Sequence, residues 1–520
     1  MQGLFAANRM DAIFSRIKRV DFWILLGIFF VFYFYKLVNY GQMIDDEKAA
    51  LRAAPIIWLT QGRWGAYLFE LLVLPNPPIP FLPTFLFGIF MCAGYLIVMA
   101  AHDVDRLEPL HYLTFPLFVA FPVWIFLSAF SSNVAASGLA MVFSALALKH
   151  CKKLIEQDWP RNFKKLATHA MAAALFCAAA IGIYQTFIFV VAVLALGLVL
   201  TSAQRNHWTI SRVAVQLLHV LAVLLLGLLF YKIIDLVFMR ALHVERSGYV
   251  EQFSNVDQLL AKPREMLSST WASLKAIYGG SAQKYGVEVI GFPLLMLSGV
   301  LGVVFGRSFR GWQKVWASII VACIACIPFM MELISGGMPL RTFIAIPSVF
   351  WLFSMLGMTA GVRWLEGLAG IALVLSLYGV MHSTNTLQAT QAYVRSHDQI
   401  MAADIYRRIA EVSPDFDRTK IYMVDVFGAK EFESLYPRIA SSTWGYSFFE
   451  WDDGNPEGRM LAHMRALGYA NLRVVPFEQR KENLKKFEEM PMWPATGSVK
   501  NVDGTILVKL GRYRGYPFNF

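Results

Sequence analysis

Long apolar runs separated by short polar stretches dominate the chain, beginning with FWILLGIFFVFYFYKLVNY at residues 22–40. A sliding window of about 19 residues finds such runs near 22–40, 82–101, 113–131, 134–149, 168–184, 186–203, 213–239, 289–305, 316–335, 341–359 and 365–382. Each is read as a helix crossing ~30 Å of hydrocarbon, whereas a barrel would show alternating segments of ~10 residues. The pattern predicts a polytopic α-helical membrane protein with about eleven transmembrane helices. Residues 171–202 are one apolar stretch, which the sequence divides at Tyr184–Gln185 into two helices joined by a tight turn.

Charge sets the expected orientation. Lys and Arg gather at the N-terminus (Arg9, Arg16, Lys18, Arg19), between 149 and 165, at Arg205 and Arg212, at Arg307, Arg310 and Lys314, and at Arg363. With eleven spans all of these fall on one side, which the positive-inside bias assigns to the cytoplasm. The weak loop is 101–112, where Asp103 and Asp105 stand against Arg106. The net charge of +11 is therefore read as topology, and no nucleic-acid partner is expected. A composition 57% hydrophobic and 16% charged excludes an ordinary soluble protein. The first apolar run lacks a small-residue cleavage site and is expected to stay as an anchor.

The same alternation places the region after His382 outside, so the expected domains are a membrane domain at 1–382 and a periplasmic domain at 383–520. In the latter, helical HDQIMAADIYRRIAEVS and GRMLAHMRALGYA alternate with strand-like KIYMVDVFG, LRVVPF and GTILVKLG, the pattern of a small α/β domain. Two outer loops, 41–81 and 240–288, are too long for plain connectors, and NVDQLLAKPREMLSSTWASLKAIYG reads as interface helices.

Ionisable groups at membrane depth are costly and ask for a partner or a task. They collect at the outer ends of the spans. Asp45 and Asp46 open the first outer loop, and a partly desolvated carboxylate there can act as general base on a sugar hydroxyl. The plainer reading of Asp46 is a helix cap before EKAALRAA. Lys232 and Asp235 share one helix face and can neutralise each other, or Lys232 can meet a phosphate. Glu332 and Arg341 flank one short turn, where a salt bridge competes with phosphate binding by Arg341; Arg63 competes for the same role. Trp64, Trp271 and Tyr278 can stack on sugars or anchor the interface. His219 is read as a hydrogen-bonded helix residue rather than a proton relay, and CIAC at 323–326 as packing. No disulfide, Walker loop, HExxH or GxSxG motif in a convincing context, or protein metal site is predicted.

The loop IDDE, then a Trp and GRW, with GIYQTF in mid-chain, PLR before a late span and YSFFEWDDGNPEGRMLAHMRALGY in the tail, resembles the bacterial glucosyltransferase II family, serotype-converting enzymes that decorate lipopolysaccharide O-antigen. The resemblance implies a GT-C-like inner-membrane fold, an undecaprenyl-phosphate sugar donor and a lipid-linked glycan acceptor. It places the catalytic base at Asp45 or Asp46 and makes Arg63 and Gln185 positioning groups; between the two aspartates Asp46 is marginally preferred here. Lys232, Asp235, Arg341, Trp64 and Glu332 complete the expected substrate-binding set, of which Lys232, Asp235 and Glu332 rest on the cost of charge at membrane depth and not on a family motif. One displacement at the anomeric carbon would invert it. Basic side chains can balance a lipid monophosphate, so no cofactor is expected; a divalent cation is possible but not required. The competing class is a transporter or flippase of lipid-linked sugars, which would line a midplane path with polar groups.

Overall fold

In the computed structural model, described for residues 19–39, 41–77, 81–156, 163–248, 256–439, 442–451 and 458–512, helices make up most of the chain. Arg9, Arg16, Lys18, Arg161 and the DDGNPE part of the tail motif lie outside the described residues. The chain divides into two compact units: residues 1–40, 54–75 and 79–384, and residues 41–53, 76–78 and 385–520.

Among the described residues of the chain, eight helices are long and apolar enough to cross a membrane: Val20–Val38, Phe81–Ala101, Ser131–Glu156, Lys164–Ile183, Phe187–Arg205, Ile210–Ala241, Gln313–Ser335 and Arg363–Glu411. The split at Tyr184–Gln185 is present, between Ile183 and Phe187. Three of the eleven expected spans differ. The run at 113–131 is broken into Pro109–Val119 and Pro122–Leu127. Pro122 has no N–H to continue the ladder and its ring disfavours a helical Phe121, which is extended at φ −54°, ψ 141°. The other two are the shorter helices Gly291–Phe305 and Ile346–Met358, the second preceded by the 3-10 turn Leu340–Thr342.

Small residues bring the helices of the first unit together, as expected where lipid supplies no hydrophobic drive between them. Phe81–Ala101 lies so close to Ser131–Glu156 that a Cβ on Gly138 would stand 3.1 Å from the Phe87 backbone. Asp103, in the weak loop, is held by Lys152 and by Arg205 Nη1 at 2.7 Å, so its charge is answered locally. Cys323 and Cys326 are exposed on their helix rather than packed inside it.

The helix Arg363–Glu411 runs on unbroken past 382, where the sequence suggests a domain break, and the two compact units divide within it after residue 384. Between Val380 and Ser413 there is neither Gly nor Pro, and the polar turn residues there are too scattered to stop it; Pro414 is the first breaker. Its last turns, in the second unit, pack on a four-stranded sheet: β1 (Tyr422–Phe427), β2 (Leu472–Val474), β3 (Val499–Val502) and β4 (Thr505–Lys509), in the order β2-β1-β4-β3. β1 is parallel to both β2 and β4, and β3 pairs antiparallel with β4. That hairpin turns on Asp503–Gly504, both at positive φ, the pairing a two-residue turn demands. Inward residues Val424, Val426, Ile506 and Val508 meet Ile405 and Ile409 of the long helix and Met460 and Met464 of the helix Arg459–Ala466.

Removing the buried side chain of Ile506, fully enclosed at 0% exposure, should cost the second unit roughly 2–5 kcal/mol. In the full-length protein Ile506→Ala is expected to lower the temperature at which protease cleaves within 385–512, while Ile421→Ala, at a 62% exposed position, leaves it in place.

Candidate functional site

The acidic loop belongs to the second unit. Its chain turns after Met43, and a one-and-a-half-turn helix, Asp46–Leu51, begins. Asp45 occupies the N-cap position with φ 85°, ψ −22°, a left-handed conformation that a short polar side chain tolerates better than most. Its carboxylate makes no cap hydrogen bond, so the capping expected of Asp46 is not what either aspartate does at the helix start. Asp46, the first helical residue, turns back to accept the Met43 N–H at 3.3 Å.

A single guanidinium organises the cluster. Arg459 Nη1 donates to Asp45 Oδ1 at 2.6 Å and to Glu47 Oε1 at 2.8 Å. Arg459 is 8% exposed and starts the helix Arg459–Ala466, directly after Gly458 at φ 74°. The three acids differ in access: Asp46 and Glu47 are buried, whereas the Asp45 side chain is 46% exposed. Glu47 has its carboxyl pushed up to about 7, chiefly by burial, with Arg459 opposing and Asp45 and Asp46 adding to the rise. Its second oxygen, Oε2, has no hydrogen-bond partner among the described residues. Nothing in the sequence pattern singles out Arg459; an Arg between Gly and an apolar helix is the available signal.

In the first unit, GRW forms a braced loop. Gly62 turns at φ 73°, and a Cβ there would meet Arg246 Nη1 at 2.4 Å and the Tyr231 hydroxyl at 2.8 Å, so only glycine fits. Tyr231 donates to the Gly62 carbonyl at 3.0 Å, and Gln185 Nε2 donates to the Gln61 carbonyl at 2.7 Å. Arg63 Nε donates to Gln185 Oε1 at 3.4 Å while its guanidinium lies 4.5 Å from the Tyr184 ring centre and 5.5 Å from that of Trp58. Trp64 stacks on Phe238 at 6.0 Å and leaves no room for a Cβ on Gly182, 2.3 Å from its ring. Thus GRW and GIYQ, far apart in sequence, pack together.

Of the other expected site residues, Asp235 also belongs here, but its partner is Arg246 rather than Lys232. Arg246 Nη1 in turn reaches the Leu59 carbonyl at 3.4 Å. Lys232 is exposed on the same helix, its Nζ 5.6 Å from the Tyr231 ring centre. Glu332 accepts from the Ser273 hydroxyl instead of pairing with Arg341 across the turn. Arg341 lies over the Phe130 ring at 5.0 Å. His219 meets Gln216 Oε1 at 2.9 Å within its own helix. Tyr278 donates to the Ala325 carbonyl at 2.7 Å, and Trp271 is exposed beside Lys275. Among the described residues no group of three or more His, Cys, Asp or Glu is arranged to hold a metal ion.

A family model described as Glucosyl transferase GtrII matches residues 14–358, well over half of the chain. No curated protein and no solved structure matches it. The matched span includes the acidic loop, GRW, GIYQ and Arg341, and stops before Arg459.

The raised Glu47 carboxyl gives a pH signature. Between its ordinary value near 4.5 and about 7, the folded protein keeps a proton that the unfolded chain has lost, so the stability contributed at low pH is lost as pH rises through about 7. Glu47→Gln keeps the acceptor oxygen and removes the titration. In full-length protein it should flatten the fall in protease resistance of residues 385–512 from about pH 5 to about pH 8; equal slopes in parent and variant would count against this assignment.

Proposed function

Because the chain belongs to the glucosyl transferase GtrII family, a family of membrane glucosyltransferases, we propose that it transfers glucose, or a similar hexose, from undecaprenyl phosphate to lipopolysaccharide O-antigen or a related glycan. In this reading it is a GT-C-type enzyme of the bacterial inner membrane, with a cytoplasmic N-terminus and the 383–520 region in the periplasm. The observation that carries the reading is the family match across a segment holding an acidic loop with one accessible carboxylate.

The chemistry is a single displacement. The acceptor hydroxyl oxygen bonds to the anomeric carbon as the bond from that carbon to the phosphate oxygen breaks, inverting the centre; the proton goes to a carboxylate and polyprenyl phosphate leaves. Asp45 is the proposed base, because it is exposed enough to reach a hydroxyl while Arg459 fixes its position. Asp46, buried and turned onto the loop backbone, holds the turn. This reverses the slight preference for Asp46 that the sequence supports.

Arg63, Lys232 and Arg341 are proposed to offset the donor phosphate, with Arg the better match to its oxygens. Gln185 fixes Arg63, and Trp64 seats the loop. Asp235 and Glu332 support this set through Arg246 and Ser273. No cofactor enters the proposed step, and a divalent cation is not needed to balance a monophosphate. The transport alternative is not favoured by the family match.

Purified protein given undecaprenyl-phosphate glucose and candidate glycans, with products read by mass spectrometry, tests the reading. Asp45→Asn is expected to lower transfer by about 10²–10⁴-fold, the range for loss of a general base, and Asp46→Asn by less. Full transfer by both variants would remove the carboxylate mechanism, and lipid translocation without any glycosyl product would replace the function.

A further inference from the structure

Two loops of the first unit carry cations and no acid: QRNHWTISR at 204–212 and GRSFRGWQK at 306–314. They lead into the helices Ile210–Ala241 and Gln313–Cys326, both of which begin candidate membrane spans. Between these helix starts lies a groove of about 860 Å³, within the range of small-molecule sites. Trp208, Trp312, Trp316 and Arg310 line it together with Ile210 and Ile319.

Each part of the lining has a distinct chemistry. Trp208 and Trp316 are buried, with the Arg212 guanidinium 4.9 Å from the Trp208 ring centre. Trp312 is 84% exposed, and Ile210 and Ile319 are 68% and 59% exposed, so one side of the groove offers bare apolar surface. Arg310 is exposed, and among the described residues its guanidinium makes no ion pair; its backbone N–H donates to Gln313 Oε1 at 3.2 Å and its carbonyl accepts the Gln313 N–H at 3.0 Å. Because the apolar runs start here, the groove sits at the boundary between hydrocarbon and water, where tryptophan is at home and a cation can face a headgroup.

We propose that this groove binds an anionic phospholipid, its phosphate facing Arg310 and its acyl chains against Ile210, Ile319 and the tryptophan rings. Charge complementarity selects the occupant: the two loops hold five cations, Arg205, Arg212, Arg307, Arg310 and Lys314, and no acid. Of these five, Asp103, from the loop at 101–112, pairs with Arg205, its other partner being Lys152. A free phosphate would leave the apolar wall in water, and a zwitterionic lipid would bring its own cation to Arg310. Tryptophans that merely anchor the interface need neither a concavity nor an unpaired arginine. The site is independent of the proposed transferase chemistry, and nothing in that chemistry uses these residues.

Native mass spectrometry of the full-length protein, titrated with phosphatidylglycerol and with phosphatidylcholine of the same acyl chains, is the test. Phosphatidylglycerol is expected to bind about five-fold more tightly, the effect of one basic group at a charged surface. Arg310→Gln with Trp312→Ala should abolish that preference, and Arg310→Gln alone, at an exposed position, should carry the charge part if the double variant fails to fold. Arg264→Gln, which removes another exposed cation, should keep the preference. Equal binding of the two lipids by the parent, a preference that survives Arg310→Gln, or displacement of phosphatidylglycerol by millimolar inorganic phosphate as complete as by a second anionic lipid would overturn the proposal.

Discussion

A polar side chain among hydrocarbon must find its partner inside the protein, because the bilayer offers none. In the first unit this constraint is met acid by acid. Asp235 holds Arg246, Glu70 takes the Trp58 indole N–H at 2.6 Å, Glu332 takes Ser273, and Asp103 gathers Lys152 and Arg205. Each partnership also does positional duty. Arg246, fixed by Asp235, reaches the carbonyl of Leu59, and Tyr231 from the same helix as Asp235 reaches that of Gly62, so a buried ion pair steadies the loop that presents Arg63. Removing Arg246 would leave the buried Asp235 uncompensated, a loss of about 3–5 kcal/mol, so Asp235 is better understood as scaffolding than as a reagent.

The acidic loop obeys the same rule with a different outcome. One guanidinium serves two carboxylates that lie 412 residues or so before it in the chain, and the sharing is unequal. Glu47 is fully enclosed, and burial lifts its carboxyl toward neutrality; Asp45 takes the same nitrogen while keeping nearly half of its side chain open. When Glu47 is protonated its hold on the Arg459 guanidinium weakens; when it ionises it competes with Asp45 for the same nitrogen. The protonation of a buried residue therefore bears on how firmly an exposed one is held.

The sequence patterns that could be read were those that depend on solvent alone. Apolar length located the eight long helices, and alternation with turn residues located β1, β2 and β4. Features set by tertiary contact were not readable. Phe477–Glu488 is so charged that its few apolar residues give no clear face, and β3 exposes its central residues, so neither was anticipated. The composition changes at 382 and the two compact units divide after residue 384, yet nothing there breaks a helix, so the continuity of Arg363–Glu411 was not readable. At the site, the residue types at GRW, GIYQ and IDDE were legible, but not their partners: i,i+3 spacing pointed Asp235 to Lys232, while Arg246, in the turn that follows the helix, was the true counter-ion.

Arg459 shows why the partners escaped notice. The family match ends at residue 358, so the pattern shared across that segment contains the acids and omits the cation that orients two of them. Within the second unit, the acidic helix Asp46–Leu51 and the tail helix Arg459–Ala466 are one packed assembly, although hundreds of residues of membrane-spanning chain separate them in sequence. Loop-closure entropy grows only slowly with length, so such a connection is thermodynamically tolerable. Its chemical consequence is larger: the electrostatics of the acidic loop are set by the tail, and a change in the tail that moves Arg459 alters Asp45 and Glu47 together while leaving every apolar span intact.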